Sequence, residues 1–84
     1  MQLTADLSLY PIQDEYIPVI QSFIDAVRQH DDLIIATNAM STQIAGDHER
    51  VFAVVSQELA ASYEKFGAQV LVVKFIPGIV ELDE

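Results

Sequence analysis

Three polar side chains at alternate positions, Asp6, Ser8 and Tyr10, interrupt an otherwise apolar extended segment, and a second polar group, Thr37, Asn38, Ser41 and Thr42, flanks a short turn. Carboxylate, hydroxyl and amide groups set among apolar strands can hold a small heteroaromatic ligand: the apolar walls enclose the ring and a few fixed hydrogen bonds orient it. The same residues admit a plainer role, with Asn38 making the turn and the hydroxyls satisfying backbone groups. Catalytic chemistry has less to work with. His30 precedes Asp31 and Asp32 at a helix end, the setting of a solvated C-terminal cap. His48 lies between Asp47 and Glu49 in a first helical turn, on a face expected to meet solvent. The two histidines are far apart and lack paired ligand spacing, so no metal site is expected. Ser8, Ser41 and Thr42 have no base nearby in sequence, there is no Gly-rich phosphate loop, and cysteine is absent. No catalytic residue is assigned.

These side chains must be positioned by elements that the hydropathy pattern outlines. From Leu3 to Tyr10 the chain alternates, with Leu3, Ala5, Leu7 and Leu9 on one side and Thr4, Asp6, Ser8 and Tyr10 on the other; this is a strand with one apolar face, ended by Pro11. From Asp14 to His30 the period becomes helical, with Tyr16, Ile17, Ile20, Phe23, Ile24 and Val27 as the stripe and Asp14 as the cap. Leu33 to Asn38 and Ser41 to Ala45 read as the two strands of a hairpin, closed by Gly46. Asp47 can cap a second helix whose stripe is Val51, Phe52, Val55, Leu59, Tyr63 and Phe66, with Gly67 as its left-handed stop. Gln69 to Ile76 is the last strand, and the tail from Ile79 to Glu84, alternately apolar and acidic, can extend an edge or fray.

The order β-α-β-β-α-β predicts an α+β, ferredoxin-like domain over residues 1–84: a four-stranded antiparallel sheet with both helices on one face. The last strand is apolar on both sides. Leu71, Val73 and Phe75 point one way, and Val70, Val72 and Ile76 the other, interrupted by Lys74. Such a strand needs cover on both faces. A second copy of the chain supplies it most simply, and burying three such side chains is worth about 5–8 kcal/mol before the costs of association. Composition agrees. Hydrophobic residues form 51% of the 84, and mean hydropathy is +0.28. A domain of this size buries only about 60–65% of the surface of its unfolded chain. A homo-oligomer, dimer or tetramer, through the open sheet face is therefore expected.

Charge narrows the partners. Thirteen acidic residues against four basic ones leave a net charge of −9, which opposes binding to nucleic acid or to an anionic membrane surface and tolerates a cationic or neutral ligand. The start has no basic n-region followed by an apolar run, and no apolar stretch approaches the roughly 20 residues of a membrane span. No membrane insertion is expected, and the sequence reads as that of a cytoplasmic domain.

Several segments carry a resemblance. Ser8-Leu9-Tyr10-Pro11, then Tyr16-Ile17-Pro18 leading to Ser22-Phe23-Ile24, then Asn38-Ala39-Met40-Ser41-Thr42-Gln43-Ile44 with Gly46-Asp47 resemble the YkoF-like thiamine/hydroxymethylpyrimidine-binding family. Tyr63-Glu64-Lys65-Phe66-Gly67-Ala68 and Lys74-Phe75-Ile76-Pro77-Gly78 also match its pattern, and the Asn38–Thr42 run is the most specific part. The resemblance implies a ferredoxin-like, non-enzymatic protein that binds thiamine or its pyrimidine moiety without a cofactor, and that can serve thiamine-precursor uptake as a soluble partner of a transporter. Some members carry two such repeats; this chain holds one, so copies would supply what a tandem protein holds in one chain. Carried over, the pyrimidine contacts fall on Ser8, Tyr10, Asn38, Met40, Ser41 and Thr42, with Met40 packing on the ring and Asp6 facing the thiazolium.

Two other readings stay open on the residues alone. One is a regulatory or interaction module resembling ACT domains, which binds an effector or protein partner at a subunit interface. The other is an enzyme on a small ferredoxin-like dimer, for which Asp6 or a histidine is the titratable candidate.

Overall fold

The computed structural model describes residues 1–38 and 41–79. The elements are β1 (Gln2–Pro11), α1 (Tyr16–Val27), β2 (Ile34–Thr37), β3 (Thr42–Asp47), α2 (His48–Phe66) and β4 (Gln69–Pro77). They form the expected α+β, ferredoxin-like arrangement, with one antiparallel sheet in the order β2-β3-β1-β4. Alternation decides the two faces. Leu3, Ala5 and Leu7 of β1 join Ile44 of β3, Phe23 and Val27 of α1, Val51 and Val54 of α2, and Leu33 in one core. Leu9, Leu71 and Val73 pack against it.

The other face is polar on β1 and apolar on β4. Register places Thr4 across from Ile76, Asp6 from Lys74, Ser8 from Val72 and Tyr10 from Val70. Val70, Val72 and Ile76 are exposed, as is Ile34 on β2. Thr4, in contrast, is fully buried. The chain turns at Gly78, whose φ of 90° suits glycine, so that Thr4 Oγ1 donates to its carbonyl at 3.0 Å and its N–H donates to the Gln2 carbonyl at 2.8 Å. Residues 80–84, most of the tail read as an edge extension, lie outside the described residues.

The helices depart from the expected stripes. α1 starts at Tyr16, two residues after the expected cap, and no side chain caps it. Pro18 thus stands in the first turn, where its missing N–H breaks no helical bond. Val19, Phe23 and Val27 are its buried residues, whereas Tyr16 and Ile17 are exposed. In α2 the Asp47 cap forms as expected, with Oδ2 accepting from the Glu49 and Arg50 N–H groups at 3.2 and 3.4 Å. Its buried line is Val51, Val54, Glu58 and Ser62, one helical step round from the expected one. Phe52 and Tyr63 are exposed, and Phe52 stacks on Phe75 of the edge strand β4, ring centroids 4.6 Å apart. Aromatic size argued for the wrong line; close approach to α1 and the sheet selects the smaller side chains.

Gly46 is not a terminator either. It lies inside β3, where a Cβ would come within 2.7 Å of Leu33 Cδ2, so the strand uses glycine to admit Leu33 into the core. Gly67 does end α2, with positive φ (89°) but extended ψ (−145°) rather than the left-handed helical value, and its N–H reaches the Tyr63 carbonyl at 2.8 Å.

The expectation of two solvated histidines fails. The turn after α1, closed by Gln29 N–H to the Ala26 carbonyl and His30 N–H to the Val27 carbonyl, sets His30 against α2. Its Nε2 lies 2.8 Å from Glu58 Oε2, with side chains only 15% and 10% exposed. This side-chain hydrogen bond ties the turn after α1 to the buried line of α2. His48 is half-buried, with Nδ1 shielded from solvent. Nearby, Arg50 Nε donates to Asp32 Oδ2 at 2.7 Å, and this bond holds the Asp32 carboxyl below its ordinary value while Asp32 raises the guanidinium. What stability that pair adds is present at neutral pH and lost as acidification protonates Asp32; both groups are in solvent, and the contribution is small.

Candidate functional site

β1 outruns its neighbour. Its register with β3 ends at Leu7↔Thr42, while its register with β4 continues to Pro11↔Gln69. Past Leu7 the sheet therefore narrows beneath α1, and a cavity of about 140 Å³ opens there. Leu7, Leu9, Ile20, Phe23 and Ile24 form its apolar walls. Ser8, Tyr10, Asn38, Ser41 and Thr42 are its polar lining residues. Five of the residues singled out from sequence thus meet at one cavity, although they come from two distant places in the chain, β1 and the β2–β3 connection.

Each polar group has a local reason for its position. Asn38 and Ser41 close the β2–β3 connection: Asn38 N–H donates to the Ser41 carbonyl at 3.0 Å, and Ser41 N–H donates to Asn38 Oδ1 at 2.9 Å. The turn-making role of Asn38 and its place at the cavity therefore coexist. Thr42, the first residue of β3, is buried, whereas Tyr10 is 57% exposed and forms the rim. Asp6 does not line the cavity. It sits one step back on β1, across from Gln43 of β3 and Lys74 of β4, and its Oδ1 accepts from Ser41 Oγ at 2.6 Å. Met40 lies outside the described residues.

The apolar walls were not named as site residues from sequence. Their signal was present in Ile20 and Ile24, which flank the buried line Val19–Phe23–Val27 and are only half-buried by the fold. Residues on the margin of a core stripe are where a cavity between helix and sheet rim takes its walls. Glu58 carried a comparable signal: it stands seven residues after Val51 and four after Val54, so an acid on the buried line required a partner. Among the described residues that line the cavity, the side chains are hydroxyl, amide or hydrocarbon, apart from the rim phenol of Tyr10. Among the described residues no group of three or more acids and histidines could hold a metal ion, and no helix is long and apolar enough to cross a membrane.

Comparison with known proteins gives a consistent picture. Residues 2–75 match the YKOF-related family. No curated protein gives a significant match. Among solved structures, a Thermotoga maritima protein proposed to act in thiamine biosynthesis or salvage superposes with a TM-score of 0.81 at 14% identity, over 89% of this chain and 82% of its own. A Streptococcus pneumoniae protein gives 0.80 at 15% identity, over 95% and 90% of the two chains. A hypothetical protein of Methanocaldococcus jannascii gives 0.79 at 18% identity, over 99% and 87%. At these identities the likeness is one of fold.

Proposed function

The chain belongs to the YKOF-related family, and from that premise we propose that it is a non-enzymatic, cytoplasmic binding protein for thiamine or its hydroxymethylpyrimidine moiety. The observation that carries this reading is the match between cavity and ring. A cavity of about 150 Å³ takes up a single benzene, and this one, at about 140 Å³, has room for one six-membered ring. Its walls are apolar and its polar groups are hydroxyls and an amide, which suits a neutral heteroaromatic ring better than an anion. The thiazolium of thiamine would stay outside, where the exposed Tyr10 ring offers a face to a cation and the net charge of −9 adds attraction. The role in thiamine biosynthesis or salvage proposed for the Thermotoga maritima protein supports the same ligand class. A soluble partner of a thiamine-precursor transporter is the physiological setting this reading favours.

Isothermal titration with thiamine and, separately, with hydroxymethylpyrimidine tests it. Saturable heat at a fixed ratio per chain is the expected result, with the pyrimidine alone sufficient for most of the affinity. Silence with both ligands into the millimolar range would overturn the reading.

The binding unit in this proposal is a homo-oligomer through the open sheet face. Val70, Val72, Ile76 and Ile34 lie exposed there, beside a cation at Lys74 and an anion at Asp6, so a two-fold-related copy meets both apolar surface and opposite charge. Sedimentation should show a mass above 9.3 kDa that Val72→Lys lowers towards the single chain. An unchanged monomeric mass for the unmutated protein would exclude this arrangement.

A further inference from the structure

A second cavity, of about 200 Å³, lies between the two helices. Ser22, Phe23 and Ala26 of α1 face Glu58, Ala61, Ser62 and Lys65 of α2 across it. Its walls are mostly small side chains, yet it contains a buried acid. Glu58 is 8% exposed, and a carboxylate so placed is costly unless its oxygens are partnered. Only one of them is. Oε2 takes both bonds, from His30 Nε2 at 2.8 Å and from Gln57 Nε2 at 3.5 Å. Oε1 makes none among the described residues, and it is not sealed from solvent as the unpartnered Ser62 Oγ is. Its opening is the interhelical cavity that Glu58 lines. A carboxylate oxygen there accepts only, and an ammonium group is its strongest match.

Lys65 supplies the opposite sign. It stands seven residues after Glu58, two turns along the same face of α2 and about 10 Å up the axis. Its side chain is exposed, and no carboxylate among the described residues pairs with it. A bare cation in the cavity would meet Lys65 as a like charge, and a bare anion would meet Glu58. A molecule carrying both charges meets an opposite one at each end.

We propose that the interhelical cavity is a second ligand site, which takes a small zwitterionic amino acid with its ammonium on Glu58 and its carboxylate towards Lys65. An engineered cavity of about 150 Å³ holds benzene, so this one has room for a molecule of the size of alanine. Neither Glu58 nor Lys65 lines the first cavity, so the proposal does not rest on the pyrimidine reading.

Titration of the full chain with L-alanine, ethylamine and propionate tests it, since each of the last two keeps one of the two charges. L-Alanine should bind at one per chain, and both single-charge probes should bind at least about tenfold more weakly. Glu58→Gln and Lys65→Gln should each weaken L-alanine by at least about tenfold, with circular dichroism checking that the variants are folded. Lys65 is exposed, so its variant tests the site even if Glu58→Gln fails to fold. No saturable heat with L-alanine up to about 50 mM would overturn the inference. So would equal binding of either single-charge probe, or L-alanine binding that is unchanged in the folded Lys65→Gln protein.

Discussion

Ile20→Trp is expected to leave the protein folded and to weaken binding of a pyrimidine ring by at least about a hundredfold. Ile20 is half-buried on α1 and forms part of the cavity wall, outside the core cluster proper. An indole at that position projects a two-ring side chain into a space with room for one. The substitution leaves in place Val19, Phe23 and Val27, which carry the buried line of the helix. Unfolding curves and calorimetric titration together check it: an unchanged midpoint with lost binding is the expected pair of results. Retained binding would place the ligand elsewhere and sink the cavity as the site. Phe23 would be a poorer choice, since it belongs to both the wall and the core, and its truncation would confound binding with stability.

The second large effect concerns the fold. Ile44→Ala should cost about 2–5 kcal/mol. Ile44 is fully buried at the centre of β3, paired with Ala5 of β1 and Ile35 of β2, and sits beneath both helices in the shared core. Its small cross-strand partner Ala5 cannot expand to fill the void. Small domains have about 5–15 kcal/mol in total, so the loss is a large part of the whole, and chemical denaturation should show a midpoint shift at nearly constant slope. A change below about 0.5 kcal/mol would mean that the core collapses around the site far better than its packing suggests.

How far these features were legible in advance depends on the range of the interaction. Alternation from Leu3 to Tyr10 is a local pattern, and β1 has the face it implies. The Asp47 cap and the Gly67 stop are likewise decided within a few residues, and both stand where the sequence puts them. Helix rotation is different. A stripe of Val, Phe, Leu and Tyr at helical spacing is compatible with two lines one step apart, and hydrophobicity favours the aromatics. Packing favours Val51, Val54, Glu58 and Ser62, because α2 must lie close to α1 as well as the sheet.

The chain by itself determined the element order, the sheet's two faces, the acidic surface and the chemistry of the polar residues around Ser8 and Asn38. Those follow from residue type and short-range spacing, which folding does not alter. Tertiary structure alone decided that His30 meets Glu58 across 28 residues, that Gly46 yields its space to Leu33, and that Asp6 bonds Ser41 rather than lining the cavity. Each is a contact between elements whose relative placement depends on the whole packed core.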